Sequence, residues 1–299
     1  MKYEDLKNIK KVCVHNGVFH SDDALSVAFL KAINKNIEVV RSRNPKIWAS
    51  CDLCVDVADG EYDHHSPDKQ TREDGVPYCG FGLLWRDFGR DFIAEKYLDI
   101  NSSEIEKMFS RFDEFVHQVD EADNGVPTAD SRYWFYNIIN EMNPLWYEYE
   151  TCDDKFEDAV RFASYIMSRR LDKFHSEITS KEVIIEGFNN ADGDIFIINK
   201  AVPWKSNLLA MDKENRFKII VYPSPDDQWS AQAIPVSPTS RELRFKFPEA
   251  WKGQKDESLE KLTNVKGSLF CHTGQFLVKT DTKEAAIKVA KKALESLQC

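Results

Sequence analysis

The sequence predicts a two-domain α/β protein, with a parallel sheet flanked by helices in residues 1–181 and a smaller mixed α/β domain in 182–299. Three observations carry this expectation. Short apolar runs alternate with helical spacing in the first quarter of the chain, as in consecutive strand-helix-strand units. A mostly helical stretch follows, and the character turns strand-rich after about Lys181. With 299 residues and 42% hydrophobic content, the chain can bury two ordinary cores.

Taken in order, Lys11–His15 is an apolar run that ends at His15, and Asp22–Ile33 shows helical spacing through Ala24, Leu25, Val27, Ala28 and Leu30. Ile37–Arg41 and Cys51–Val57 read as further buried strands, joined by a segment in which Asn44-Pro45 opens a short helix. Helices are expected at Phe81–Tyr97, at Ser103–Glu121, around Tyr133–Met142 up to Asn143-Pro144, and near Asp153–Ile178. Beyond them, Val183–Ile185, Ile195–Ile198, Phe217–Tyr222 and Trp229–Ile234 read as strands with Asn- and Pro-rich turns between them. A terminal strand at Ser268–Cys271 and an amphipathic helix at Lys283–Leu297 finish the chain.

Charge is uneven. The net value is −10, yet from Val183 onward there are 17 Lys and Arg against 15 Asp and Glu, leaving 23 against 35 before it. A uniformly acidic surface would disfavour nucleic acid, because nonspecific affinity rests on basic side chains neutralising phosphates. Here the deficit falls in the half that carries the candidate metal ligands, where cations would offset part of it. Seven scattered cysteines, and no apolar signal segment after Met1, point to a reducing, cytoplasmic setting, and no apolar run is long enough for a bilayer. Cys51 and Cys54 form a lone Cys-x-x-Cys without a second pair, so buried thiols are favoured there and at Cys13 over a zinc or redox site.

Four of the seven histidines lie in two short runs, His15-Asn16-Gly17-Val18-Phe19-His20-Ser21-Asp22-Asp23 and Asp56 to Asp63-His64-His65. Parallel sheets bind ligands beyond the carboxyl ends of their strands, which is where His15 and Asp56 fall. Asp22 could equally cap the following helix, with the histidines as polar loop residues. Asp63-His64-His65 has no packing or capping explanation, and metal binding is the favoured reading. One of these histidines would bind a metal while the other orients a ligand or donates to a phosphate. Asp120 and Asp123, three apart at the end of the Phe109–Val119 helix, can face one side, although alone they would be an ordinary helix end stopped at Asn124-Gly125. His/carboxylate sets of this kind suit one or two ions of the Mn, Mg, Fe or Zn type. His117 and His175 lie outside these clusters and read as surface or core residues.

These motifs, together with Val55-Asp56-Val57, Tyr62-Asp63-His64-His65, Val119-Asp120-x-x-Asp123-Asn124-Gly125, Pro203-Trp204-Lys205, Pro248-Glu249-x-Trp251-x-Gly253 and Phe270-x-His272, resemble the Myg exonuclease family of the DHH phosphoesterase superfamily. That family was earlier described only as uncharacterised or as metal-dependent protein hydrolases. The resemblance runs from about Val12 to the last helix. It implies a DHH-like fold for the first domain, with His15, His20, Asp22, Asp56, Asp63, His64 and Asp120 as metal ligands, and with Asp23, Asp123 and Asn124 as further candidates. Asp63, His64 and His65 would be catalytic, His65 touching the phosphate. The implied cofactor is a pair of divalent ions, Mn2+ first and Mg2+ as the alternative, and the implied activity is hydrolysis of RNA or single-stranded nucleic acid from one end.

The second domain would supply substrate contacts through Arg244, His272, Gly274 and Lys205, with Arg241, Lys246 and Lys252 as additional donors. Trp204, Trp229 and Trp251 could stack bases, but core packing is favoured for them. The chain departs from the family pattern at a short Gly60-Glu61, at Ser66, and at Gly274-Gln275-Phe276. Two other readings stay open: a hydrolase of small phosphate compounds, and a non-catalytic, metal-containing module that binds nucleic acid or protein.

Overall fold

The computed structural model describes residues 1–65, 69–127 and 129–296, so Ser66 lies outside the described residues. The chain divides into two compact units, Met1–His175 and Ser176–Cys299.

The first unit contains α1 (Tyr3–Leu6), β1 (Lys11–Val14), α2 (Ser21–Ile33), β2 (Glu38–Arg41), α3 (Pro45–Trp48), β3 (Leu53–Cys54), α4 (Gly80–Lys96), α5 (Ser102–Asp123), α6 (Trp134–Glu141) and the long α7 (Cys152–Thr179), whose end passes into the second unit. Its sheet has the order β2-β1-β3, and both neighbours run parallel to β1. Cys13 sits opposite Val40 on one side and Cys54 on the other. The carboxyl ends of β1 and β3 are therefore adjacent, and each delivers one acid or imidazole to the same rim. β3 is shorter than the apolar run Cys51–Val57 suggests. The chain leaves the sheet at Asp56, where positive φ at Asp56 (58°), Ala58 (78°) and Asp59 (47°) bends it through a left-handed turn. Non-glycine residues adopt such angles at a cost, and aspartate tolerates them better than most.

Aromatic packing holds α4 against α2 and α5. The indole of Trp85 is fully buried, lies parallel to Phe109 at 5.4 Å, and touches Phe112 and Phe29 at 4.5 and 6.0 Å. Helices α2 and α5 are fixed by this cluster, so the acidic residues at their ends are fixed with them.

The second unit contains α8 (Lys181–Asn189), β4 (Ile195–Ile197), α9 (Lys205–Met211), β5 (Ile219–Pro223), β6 (Trp229–Ala233), α10 (Asp256–Thr263), β7 (Ser268–Cys271), β8 (Leu277–Thr280) and α11 (Lys283–Glu295). The strand order is β4-β5-β6-β8-β7, with β4 parallel to β5 and the remaining pairs antiparallel. Alternation along the strands feeds two cores. Ile219, Val221 and Ala231 join Ala286, Val289 and Ala290 of α11, whereas Phe196 and Ile220 join Ile184 of α8 and Leu208 of α9.

Two sequence expectations are corrected here. Val183–Ile185 belongs to helix α8 rather than a strand, because a three-residue β-branched run fits either state and burying Ile184 against Phe196 and Phe217 decides it. Ser268–Cys271 is not the last strand, since β8 follows and pairs with both β6 and β7. Trp204 and Trp251 are buried core residues, and Trp229 packs on the same core as Trp251. Cys13 is buried, Cys51 and Cys54 are half-buried, and all three are free thiols. No described helix is long and apolar enough to cross a membrane.

Candidate metal centre

Three chain segments converge at the rim of the small parallel sheet. The first is the loop from β1 to α2. His15, one residue past β1, points its Nε2 at Asp23 Oδ2 (2.8 Å) and Asp56 Oδ2 (3.3 Å), while its Nδ1 lies 3.2 Å from the Asn16 carbonyl. His20 occupies the N-cap of α2, and its ring stacks on Tyr136 at 6.2 Å. It is Asp23 that caps the helix, accepting the His20 backbone N–H at 3.0 Å. Asp22 caps nothing: it is fully buried, and neither of its carboxylate oxygens has a hydrogen-bond partner.

The second segment follows β3. Asp56 is buried and receives His15 on one oxygen and His64 Nε2 (2.8 Å) on the other. His64 also reaches Asp123 Oδ2 at 3.0 Å. Its Nδ1 lies 3.3 Å from Asn124 Oδ1, an arrangement that makes Nδ1 the donor and aims Nε2 at the carboxylates. His65 is half exposed, with Nδ1 at 2.8 Å from Asp63 Oδ1. Asp63 accepts N–H groups from Asp59 (2.7 Å) and His65 (3.0 Å) as well, so its oxygens are occupied in orienting the His65 loop.

The third segment is the end of α5, which brings Asp123 to the cluster. Asp120, one turn earlier, faces elsewhere. Its Oδ1 accepts the Cys79 N–H (2.9 Å), and its Oδ2 accepts Arg72 Nε (2.6 Å). Arg72 in turn forks onto Asp113 at 2.7 and 3.1 Å. The sequence grouped Asp120 with the candidate metal ligands; in the structure Asp123 lies among the clustered donors, whereas Arg72 and the Cys79 N–H hold Asp120 in the α4–α5 interface. Gly82 of α4 makes room for it, since a Cβ there would stand 2.1 Å from Asp120 Oδ1. Gly82→Ala should therefore displace a carboxylate that is pinned from two sides and lower stability by about 1–3 kcal/mol, measurable by urea unfolding.

Among the described residues, four sets of ligand atoms lie within 4.8 Å of one another: His15, His20 and Asp23; Asp56, His64 and His65; His20, Asp22 and Asp123; and Asp22, Asp23 and Asp56. The electrostatics are those of a buried, acid-rich cluster. Burial, reinforced by the charges of Asp123, Asp56 and Asp23, pushes the Asp22 carboxyl well above the usual carboxylate range. Burial also raises Asp23. At His15 burial opposes the charged form, but the hydrogen bonds that it donates to Asp23 and Asp56 win and push it up to about 10. His64 behaves alike, raised to about 10 by Asp123 and Asp56 against its burial. Protons thus serve as the positive charge that carboxylates so close together require. A divalent cation would fit the same nitrogen and oxygen donors, and it would satisfy the unpartnered oxygens of Asp22.

The remaining sequence candidates lie in the second unit. Arg244 is engaged: its side chain is 4% exposed, and it donates to Asp212 Oδ2 (2.5 Å) and the Phe217 carbonyl (3.1 Å). Lys205 and Gly274 are exposed, and the Gly274 N–H donates to His272 Nδ1 at 2.9 Å. Sequence reasoning missed Arg72, which stands 48 residues before Asp120 in no motif. His117 and His175 pair with Asp74 (2.6 Å) and Asp99 (2.7 Å) outside the cluster.

Residues 11–294 match the profile of the MYG1 exonuclease family, described as an uncharacterised protein family (UPF0160). A MYG1 protein of Schizosaccharomyces pombe is 31% identical, covering 97% of this chain and 99% of its own length. The MYG1 exonuclease of Homo sapiens is 28% identical over 95% of this chain and 85% of its own. A crystal structure of exonuclease RecJ bound to manganese aligns over 99% of this chain and 93% of that one at 11% identity, with a TM-score of 0.28 that is too low to carry an argument. On the profile and on relatives that span nearly its full length, this chain belongs to the MYG1 exonuclease family.

Proposed function

We propose that the first unit is a metal-dependent phosphodiesterase of the DHH type, acting as an exonuclease on RNA or single-stranded nucleic acid with two divalent ions, Mn2+ first and Mg2+ as the alternative. The observation that carries this reading is Asp22: a fully buried carboxylate with no donor on either oxygen, ringed by carboxylates and imidazoles from three segments of the chain. Such a group is costly in a protein that binds no cation. The name exonuclease, borne by several relatives, supports the reaction class.

In this reading His15, His20, Asp22, Asp23, Asp56, His64 and Asp123 hold the ions. When bound, the ions supply Lewis acidity for water activation and for charge on the leaving oxygen. Asn124 holds the His64 tautomer that leaves Nε2 free to ligate. Asp63 accepts from Nδ1 of His65, leaving the other ring nitrogen of this half-exposed side chain to face a phosphate oxygen, to which it donates as the imidazolium. Asp120 anchors the end of α5 beneath the site. Among the second-unit candidates, Lys205 and His272 keep donors that could serve substrate, whereas the Gly274 N–H is spent on His272 Nδ1.

The test is direct. Purified protein supplied with manganese should release mononucleotides from end-labelled RNA, with chelator and Asp56→Ala each abolishing release. Wild-type protein that releases no more than Asp56→Ala would end this reading. Turnover on substrates of increasing length separates the exonuclease from a hydrolase of small phosphate compounds, which would be fastest on the shortest.

A further inference from the structure

The segment between α6 and α7 leaves four large apolar side chains in water within five residues: Leu145 is 50% exposed, Trp146 94%, Tyr147 62% and Tyr149 fully. Rings of this size are normally buried or held ready for a partner. The segment is nevertheless braced. Leu145 N–H donates to Glu148 Oε2 (2.8 Å), Glu148 N–H donates to the Leu145 carbonyl (2.9 Å), and Trp146 stands edge-on to Tyr147 at 5.5 Å.

Both roots of the segment are fastened to the loop that carries His15 and His20. At one end Phe19 N–H donates to Asn143 Oδ1 (3.0 Å), and Asn143 Nδ2 donates back to the Phe19 carbonyl (2.9 Å). At the other end Arg41 donates to Asp153 Oδ1 (2.5 Å) and to the Gly17 carbonyl (2.8 Å). Its guanidinium also lies 4.4 Å from the Phe156 ring and 5.7 Å from the Phe19 ring. The segment that bears the rings is thus tied at both ends to the His15–His20 loop.

We propose that Trp146, Tyr147 and Tyr149 form a stacking platform for unpaired bases of a single-stranded nucleic acid, an inference that rests on the nuclease reading above. Charge decides the mode of binding. Glu148 and Glu150 lie within the segment, with Asp153 and Asp154 just after it, and Lys155 is paired with Glu150. Phosphates are repelled there, so affinity must come from the faces of the bases, which aromatic rings accept in any sequence. The double attachment to the His15–His20 loop favours substrate over an unrelated protein partner, because it couples the platform to the residues proposed to hold the metal.

The experiment uses the full chain without added metal. Short single-stranded oligonucleotides are expected to quench tryptophan emission. Trp146→Ala should weaken binding about 10-fold and the double variant with Tyr149→Ala about 100-fold, while Trp146→Phe keeps affinity within about threefold. An abasic strand should bind the wild type as weakly as the intact strand binds the alanine variant. Equal binding by Trp146→Ala, or equal binding of the abasic strand, overturns the platform. So does a dimer that Trp146→Ala converts to monomer while oligonucleotide binding is unchanged, which would make the patch a self-association face. Cleavage of the same strands by wild-type protein with manganese is scored separately. Stacking without cleavage would sink the nuclease reading alone, and cleavage without stacking would sink the platform alone.

Discussion

Asp22→Asn should make the metal-free protein more stable while abolishing metal-dependent nuclease activity. The wild-type carboxylate is fully buried, without a hydrogen-bond donor, and faces Asp23, Asp56 and Asp123. Removing its charge relieves both desolvation and like-charge repulsion, and the new amide can donate to a neighbouring carboxylate. A gain of about 1–2 kcal/mol is expected at pH 8, a rise of a few degrees in Tm. The pH dependence has a definite sign. A carboxyl raised above its unfolded value stabilises the fold at low pH and loses that contribution as pH rises through its folded pKa, so the advantage of Asp22→Asn should shrink toward pH 5. Manganese at about 100 times its Kd should add about 2.7 kcal/mol to the wild type and far less to the variant, whose activity should fall by at least about a hundredfold. Thermal melts with and without manganese, beside a nucleotide-release assay, give all of these quantities. A variant that melts earlier than wild type without metal, or that cleaves at the wild-type rate, contradicts the assignment.

Arg72→Ala should be the most damaging substitution away from the cluster. Asp120 is fully buried, and Arg72, 9% exposed in its side chain, joins it to Asp113. Removing one partner of a buried pair costs about 3–5 kcal/mol, because the other charge is left unpaired. Burial raises the Asp120 carboxyl to about 6 even with the Arg72 charge pulling it down. Without Arg72 it moves higher still, and the aspartate folds as the neutral acid when pH is low. The loss should therefore be larger at pH 8 than at pH 5, as urea unfolding at the two values will measure. Adding Asp120→Asn to Arg72→Ala should recover much of the loss. Arg72→Lys should recover only part, since an ammonium cannot fork onto Asp113. A cost below about 1 kcal/mol at pH 8 would mean that the end of α5 is held by something else.

The sequence was most legible where local rules act. The helices α2, α4, α5, α7 and α11 follow from apolar spacing, and strands β1, β2, β4 and β6 lie within their apolar runs. Periodicity could not tell a helix from a strand over the three residues Val183–Ile185, and it passed over α9, α10 and β8, whose few buried positions carry little pattern. It did place Asp56 at a strand end, but the left-handed backbone angles at Asp56, Ala58 and Asp59, which stop β3 short of the apolar run Cys51–Val57, have no periodic signature.

The candidate site divides in the same way. By itself the sequence determined which short runs gather ligand-type residues, since packing explains neither His15 to Asp23 nor Asp56 to His65. Which members of those runs meet was decided by tertiary structure. Asp120 and Asp123 are equivalent in sequence, three residues apart on one helix, yet Arg72 and Gly82 draw the first into the α4–α5 interface while His64 receives the second. Asp22 and Asp23 are adjacent, yet one caps α2 and the other is buried without a partner. The reason is physical: residue type and spacing fix what a side chain can bind, while the direction in which it points, and the charge and solvent it meets there, depend on segments far away in the chain.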